Sequence, residues 1–137
     1  AFLTAATRSS RNFSSSDFWT GIVTSVISFD TSEFRVLLND IELVDTTLLV
    51  GTQGRGIYRS LDKGQTWNAS NFGLSDTAVT CFTKDGSLLF AGTQSQGVFI
   101  SSDEGGTWSS QGGVGGAQIN TMFVNNGSMY AGMSSGM

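Results

Sequence analysis

The chain has 137 residues, of which 18 are glycine, none is proline or histidine, and only 13% are charged. The lack of histidine excludes imidazole metal sites and serine-hydrolase triads, and a net charge of −4 without a basic stripe argues against binding to nucleic acid or anionic membranes. Abundant glycine, serine and threonine with few charges favour an all-β fold over a helical bundle.

Three further observations bear on cellular context. Cys81 is the single cysteine, so no internal disulfide can form, and its apolar text VTCF predicts a buried, inert thiol. No run of about 18 apolar residues and no signal-peptide pattern is present, which predicts that no segment spans a membrane. The first residue is Ala rather than Met, which suits a processed secreted protein or an excised fragment; we expect an extracellular location.

Residues 1–37 form the first predicted region, an N-terminal arm followed by a strand. Residues 1–17 are rich in serine and have no sustained hydrophobic period, as is typical of a linker. The text FWTGIVTSVISF, from Phe18 to Phe29, is dense in β-branched and aromatic residues and predicts a strand.

The rest of the chain, residues 38–137, is a repeat. The text GTQGRGIYRSLDKGQTW at 51–67 returns as GTQSQGVFISSDEGGTW at 92–108, a shift of 92 − 51 = 41 residues. A period near forty residues is typical of stacked four-stranded blades. The repeats are predicted at 38–77, 78–117 and 118–137, of which the third is truncated.

Residues 31–44 are ambiguous between helix and strand. Phe34, Leu37, Leu38 and Ile41 have helical spacing, with Thr31 or Ser32 available as an N-cap. The 41-residue register instead places Leu38–Val44 over Val79–Asp85, the innermost strand of the next repeat. We predict a strand there, because each repeat must pack on its neighbour in the same way.

The other predicted elements follow the same register. Asp85-Gly86 and Asn126-Gly127 are predicted as type I′ hairpin turns, in which both central residues have positive φ. Predicted second strands are Thr47–Thr52 and Leu88–Thr93, predicted third strands are Gly56–Ser60 and Gly97–Ser101, and the third repeat offers two strands, Ile119–Val124 and Ser128–Met133.

Both full repeats end in the pattern Ser-x-Asp-x-Gly-x-Thr-Trp. This pattern resembles the Asp-box, or BNR repeat, of sialidase-like and photosystem-assembly-factor-like β-propellers. The resemblance covers residues 38–137 and implies antiparallel four-stranded blades, in which the motif joins the third and fourth strands and serves folding rather than chemistry. The residues that carry it are Ser60, Asp62, Gly64 and Trp67, repeated as Ser101, Asp103, Gly105 and Trp108.

The chemistry of these residue types fits a turn. An Asp can accept hydrogen bonds from turn amides, a Gly can take positive φ, and a Trp can bury a large apolar area between blades. We therefore expect Trp67 and Trp108 both to be largely buried between blades. An EF-hand calcium loop would need more oxygen ligands and a terminal Glu, so we predict no metal ion and no cofactor.

A sialidase-type active site is disfavoured. That chemistry implies three arginines for the substrate carboxylate and a Tyr–Glu pair, whereas the repeats contain only Arg55 and Arg59. Tyr58 and Tyr130 align with Phe99 and Phe90 and are read as ordinary strand aromatics. We predict that the chain is not an enzyme and has no catalytic residues.

Two functions from different classes stay open. At about 3.3 repeats of 41 residues, the chain has fewer blades than the four to eight of closed propellers. It is therefore read as a structural module that completes itself by strand exchange into a homo-oligomer or filament. Phe18–Phe29 is predicted to supply a strand to the incomplete third blade, of the same chain if the blades curl shut or of a neighbouring copy if they do not; we favour the neighbouring copy. The alternative is one part of a propeller that binds a glycan or a protein and has its other blades elsewhere.

Overall fold

Strands make up all the regular structure in the computed structural model, which describes residues 38–112 and 114–134. They form two four-stranded sheets and one two-stranded sheet, each antiparallel with strands in chain order; we call these blade 1 (β1–β4), blade 2 (β5–β8) and blade 3 (β9–β10). The predicted all-β fold of antiparallel four-stranded blades is confirmed. The strands are β1 (Leu38–Val44), β2 (Thr47–Thr52), β3 (Ile57–Ser60), β4 (Asn68–Ala69), β5 (Val79–Asp85), β6 (Leu88–Thr93), β7 (Val98–Ser101), β8 (Ser109–Gln111), β9 (Gln118–Asn125) and β10 (Ser128–Ser134).

The ambiguous segment is a strand over its described part. Leu38–Val44 is β1 and pairs antiparallel with β2, so the strand prediction is confirmed there and the helical spacing of Leu38 and Ile41 was misleading. The predicted N-terminal arm and the strand Phe18–Phe29 lie outside the described residues.

A β-bulge recurs at the same place in every blade. It leaves Asn39, Thr80 and Asn120 unpaired on the inner strands β1, β5 and β9. The bulge aims two of these side chains across to the next blade: Asn39 Nδ2 donates to the Val79 carbonyl at 2.7 Å, and Thr80 Oγ1 donates to the Ile119 carbonyl at 2.5 Å. Each inner strand is thereby fastened to the following one.

The two predicted type I′ turns have different outcomes. Asn126 and Gly127 both have positive φ, at 51° and 73°, as predicted. The prediction for Asp85 was wrong, because Asp85 pairs with Leu88 and the loop is Gly86–Ser87, with Gly86 alone at positive φ (57°). Glycine adopts the left-handed region at least cost, so it occupies the first loop position while the aspartate remains in the ladder.

The core lies between blades rather than inside them. Blade 1 meets blade 2 through a cluster of nine buried residues: Val44, Leu49, Ile57, Val79, Phe82, Leu89, Ala91, Phe99 and Trp108. Blade 2 meets blade 3 through Cys81, Val98, Ile119 and Met122, where Cys81 is the predicted buried thiol. This is sheet-on-sheet packing, in which alternate residues of each strand point to opposite neighbours.

Two glycines permit this close approach. A Cβ on Gly51 would lie 2.7 Å from Val79 Cγ1, and a Cβ on Gly92 would lie 2.7 Å from Ile119 Cγ2. Both distances are too short for two carbon atoms that are not bonded to each other. The second strand of a blade therefore needs a residue without a side chain where the inner strand of the next blade crosses it.

The two motif tryptophans differ in burial. Trp108 is 4% exposed between blades 1 and 2, and its Nε1 donates to the Ser70 carbonyl at 3.0 Å. Trp67 is partly buried, and the residues that precede blade 1 lie outside the described ranges, so its position between blades stays a prediction. It packs on Ile41, Leu48 and Val50 of its own blade, because β1 is the first described strand and no described blade precedes it.

We therefore expect unequal effects of truncating the two tryptophans. Trp108→Ala removes a fully packed indole from the inter-blade core and should lower the free energy of unfolding by about 3–5 kcal/mol. Trp67→Ala should cost clearly less, since its indole already contacts solvent. Denaturant unfolding followed by circular dichroism measures both, and equal losses would contradict the asymmetry.

Candidate functional site

The turn between β3 and β4 is built around a serine hydroxyl and a carboxylate. Ser60 Oγ donates to Asp62 Oδ1 at 2.8 Å and accepts from the Gly64 amide at 2.8 Å. Asp62 in turn accepts from the Thr66 amide at 2.8 Å and from Thr66 Oγ1 at 2.5 Å. The polar groups of the turn therefore satisfy one another within eight residues of chain, from 60 to 67.

The turn between β7 and β8 repeats this network. Ser101 Oγ donates to Asp103 Oδ1 at 2.7 Å and accepts from the Gly105 amide at 2.9 Å. Asp103 accepts from the Thr107 amide at 2.8 Å and from Thr107 Oγ1 at 2.9 Å. Sequence reasoning assigned the acceptor role to the aspartate; it missed that the serine and threonine hydroxyls complete the network.

Each turn needs two consecutive residues at positive φ. Lys63 and Gly64 have φ of 59° and 85°, and Glu104 and Gly105 have φ of 56° and 79°. Only the glycines were predicted to adopt such angles. Lysine and glutamate have no special preference for this region, so their conformation is set by the hydrogen bonds on either side of them.

The second turn is also fastened to blade 1. Ser70 Oγ, from blade 1, donates to the Gly105 carbonyl, and the Trp108 amide donates to the Phe72 carbonyl at 2.9 Å. A Cβ on Gly105 would collide with Leu49 Cδ2. The glycine of the motif is therefore required both by its φ and by the close approach of the neighbouring blade.

Polar side chains surround the same contact. Thr47 Oγ1 donates to Glu104 Oε2 at 2.8 Å, and Arg59 Nη1 donates to the Asp103 carbonyl at 3.4 Å. The motif of blade 2 thus serves as an inter-blade clasp. Among the described residues, the corresponding motif of blade 1 makes its hydrogen bonds within its own turn, with Trp67 Nε1 donating to the Gly64 carbonyl at 3.1 Å.

A further group of hydrogen bonds, which the sequence did not indicate, is centred on Asp76. This residue lies in the connection between blade 1 and blade 2. One oxygen accepts from the Ser95 amide and hydroxyl, both at 2.8 Å, and the other accepts from the Ala78 amide at 2.9 Å. Burial raises the pKa of Asp76, but these hydrogen bonds lower it by more. An Asp in a connecting segment carries no repeat signal, so only the structure could find it.

The motif carboxylates are held in the ionised form. The Thr66 hydroxyl, followed by the Thr66 amide and the Ser60 hydroxyl, lowers the pKa of Asp62 from its ordinary 3.8 to about 2. Burial raises the pKa of Asp103, but hydrogen bonds from Thr107 and Ser101 lower it overall. A carboxylate stabilised as an acceptor in this way is poorly suited to donate a proton to a substrate.

The residues considered for sialidase-type chemistry lie in separate blades. Tyr58 lies in β3 of blade 1, and Tyr130 lies in β10 of blade 3. Within residues 38–112 and 114–134, no group of three or more Cys, Asp or Glu side chains could hold a metal ion. The same ranges contain no helix long and apolar enough to cross a membrane.

Comparison with known proteins shows the fold. No family model and no curated protein matches the chain. A GH74 xyloglucanase from Xanthomonas campestris matches with a TM-score of 0.51 at 17% identity over 74% of this chain, and YCF48 from Cyanidioschyzon merolae with a TM-score of 0.49 at 16% identity over 70%. Both are β-propeller proteins, and the chain spans only 18% and 34% of their lengths. The likeness to the xyloglucanase shows that the chain has a propeller-like repeat fold.

Removing either motif carboxylate should destabilise the fold. Asp62→Ala and Asp103→Ala each leave an amide and a hydroxyl of the turn without their acceptor, and we expect the melting temperature to fall by roughly 3–8 °C. Asp85→Ala, at an exposed aspartate next to a hairpin loop, is the matched control and should change it little. A motif variant that melts with the wild type would disprove the structural role.

The depressed pKa of Asp62 predicts an acid-dependent contribution to stability. Because the folded pKa of about 2 lies below the ordinary 3.8, the stabilisation is fully present above the ordinary value and is lost as the pH falls through about 2. Asp62→Asn removes this titration. The difference in melting temperature between wild type and variant should therefore shrink from pH 6 to pH 2; a constant difference would contradict the assignment.

Proposed function

We propose that the chain is a non-catalytic, extracellular interaction module of Asp-box propeller type, which self-associates through its incomplete third blade. The observation that carries the proposal is the edge of β10. Among the described residues β10 pairs with β9 alone, whereas the second strands of blades 1 and 2 each pair with a third strand. Blade 3 therefore presents strand-pairing groups that the other blades use internally.

The backbone positions at this edge can be identified by register. The Thr52 amide donates to the Gly56 carbonyl at 3.0 Å, and the Thr93 amide donates to the Gly97 carbonyl at 2.9 Å. Met133 holds the equivalent position in β10, where it pairs with Ile119 as Thr93 pairs with Val79. Its side chain is exposed, and β10 contains neither the lysine nor the proline with which proteins protect edge strands.

Strand exchange is the proposed means of satisfying this edge. The strand-forming text Phe18–Phe29 of a neighbouring copy would pair with β10 and supply the third strand of the blade. A head-to-tail exchange that closes gives a ring, and one that does not close gives a filament. The Asp-box assignment is supported by the two matching hydrogen-bond networks at Ser60–Trp67 and Ser101–Trp108.

The absence of catalysis is part of the proposal. It is supported by the carboxylates of Asp62 and Asp103, whose oxygens accept hydrogen bonds within their own turns. A second candidate is a propeller segment that binds a glycan or a protein together with blades from elsewhere. This candidate is favoured by the coverage, since the chain spans 18% of the xyloglucanase and 34% of YCF48.

Size-exclusion chromatography with light scattering on the full chain tests strand exchange. We expect an oligomer, and deletion of residues 1–29 should convert it into a poorly soluble species with an open β10 edge. Deletion of residues 1–17 is the matched control, because it leaves Phe18–Phe29 in place and should preserve the assembly. A monodisperse full-length monomer, or an assembly unchanged by the longer deletion, would favour the propeller segment instead; hydrolysis of a sialoside would overturn both.

A further inference from the structure

The face of blade 1 that points away from blade 2 is apolar and buried. Alternate residues of a strand point to opposite sides of the sheet, so this face lies opposite Val44 and Leu49, which contact blade 2. Among the described residues, the cluster on this face has members from blade 1 alone. We call it the leading face, and its residues are Leu38, Ile41, Leu43, Leu48, Val50 and Trp67.

The centre of the leading face is as buried as a contact between two blades. Leu48 and Val50 are each 1% exposed. Their equivalents in blade 2, Leu89 and Ala91, are 0% exposed because blade 1 covers them. Tyr130 lies on the side of blade 3 where no described blade is stacked, and it is 50% exposed. Neighbours within one sheet therefore do not account for the burial of Leu48 and Val50, which requires a covering layer.

One part of the chain is placed to provide this layer. The residues outside the described ranges are 1–37, Gly113 and 135–137. Gly113 has no side chain and follows β8 of blade 2, and residues 135–137 follow β10 of blade 3. Residues 1–37 run directly into β1, the inner strand of blade 1. The layer on the leading face is therefore assigned to residues 1–37.

The apolar content of residues 1–37 is concentrated in Phe18–Phe29. Seven of the twelve residues in FWTGIVTSVISF are apolar, whereas residues 1–17 are rich in serine. The eight residues from 30 to 37 can span at most about 29 Å. Strand β1, with 7 residues, is about 23 Å long. The connection is thus long enough for Phe18–Phe29 to lie along the whole leading face.

We propose that Phe18–Phe29 packs on the leading face of its own chain and caps blade 1. This contact goes beyond strand exchange and does not depend on it. Packing uses the side chains of the segment, whereas exchange uses its backbone edge, so a segment that caps blade 1 can also pair with β10 of a neighbouring copy. A segment already held in place loses less conformational entropy when it pairs.

The reactivity of a thiol on the leading face tests the cap. In a Cys81→Ala background, Val50→Cys should react slowly with a maleimide in the full chain and after deletion of residues 1–17. Deletion of residues 1–29 should raise the rate about tenfold or more, because the thiol then meets solvent without a local opening. Ala91→Cys is the matched control, since blade 1 covers this equivalent position, and it should react slowly in all three chains.

Two results of this experiment would overturn the proposal. One is a Val50→Cys rate that the longer deletion leaves unchanged. The other is a rate that the shorter deletion already raises, because the cap would then lie within residues 1–17. The measurement is made on dilute protein, since the longer deletion is expected to be poorly soluble.

Photocrosslinking in the full chain identifies the occupant without a deletion. A benzophenone amino acid at Leu43, a partly buried residue of the leading face, should crosslink to Phe18–Phe29. In a mixture of isotopically labelled and unlabelled copies that were refolded together, both crosslinked peptides should carry the same label. Crosslinks to another segment, or between differently labelled copies, would contradict the proposal. The same probe at Phe72, which is 78% exposed outside the leading face, is the control and should not capture the segment.

The cap and strand exchange can fail independently. A chain that is monomeric by light scattering but still crosslinks within one copy would retain the cap and lose strand exchange. An oligomer that depends on residues 18–29 but gives no crosslink from Leu43 would retain strand exchange and overturn the cap.

Discussion

The structure depends on the fact that no blade can bury both of its own faces. A single antiparallel sheet has side chains on two sides, and here both sides of blade 2 are apolar, with Phe82 and Trp108 facing blade 1 and Val98 facing blade 3. The only way to remove both surfaces from water is to stack sheets, so the hydrophobic free energy resides in the contacts between repeats. This explains why the glycines at 51 and 92 matter: they set how closely consecutive sheets approach.

Polar groups at the blade contacts follow the same logic. Serine and threonine hydroxyls, together with a few carboxylates, satisfy backbone amides where chain segments change direction. Short hydroxyl side chains do this within one turn and lose little conformational freedom, whereas lysine or arginine would extend beyond it. A low content of charged residues is thus compatible with a well-bonded fold, because neutral donors and acceptors take over the polar contacts.

The sequence was most informative where the physics repeats. The 41-residue register located the strands and the motif turns, because each repeat must meet its neighbour in the same geometry. It did not indicate the positive φ of Lys63 and Glu104, which is imposed by flanking hydrogen bonds, nor that Trp67 is more exposed than Trp108. The burial of Trp67 depends on what precedes the repeat rather than on the repeat itself. The role of Asp76 could not be predicted from the sequence. Its hydrogen-bond partners, Ser95 and Ala78, are close to it in space but follow no sequence pattern.

The bulge that links one inner strand to the next has a consequence for how the molecule fluctuates. Asn39 and Thr80 each donate a hydrogen bond to the blade that follows. The stability of a described blade is therefore coupled to that of the blades directly beside it. Such a linear array behaves like a one-dimensional chain of coupled units, in which local opening begins at a unit with one neighbour. Among the described blades, blade 2 alone has neighbours on both sides, so its amide protons should exchange with solvent more slowly than those of the other two.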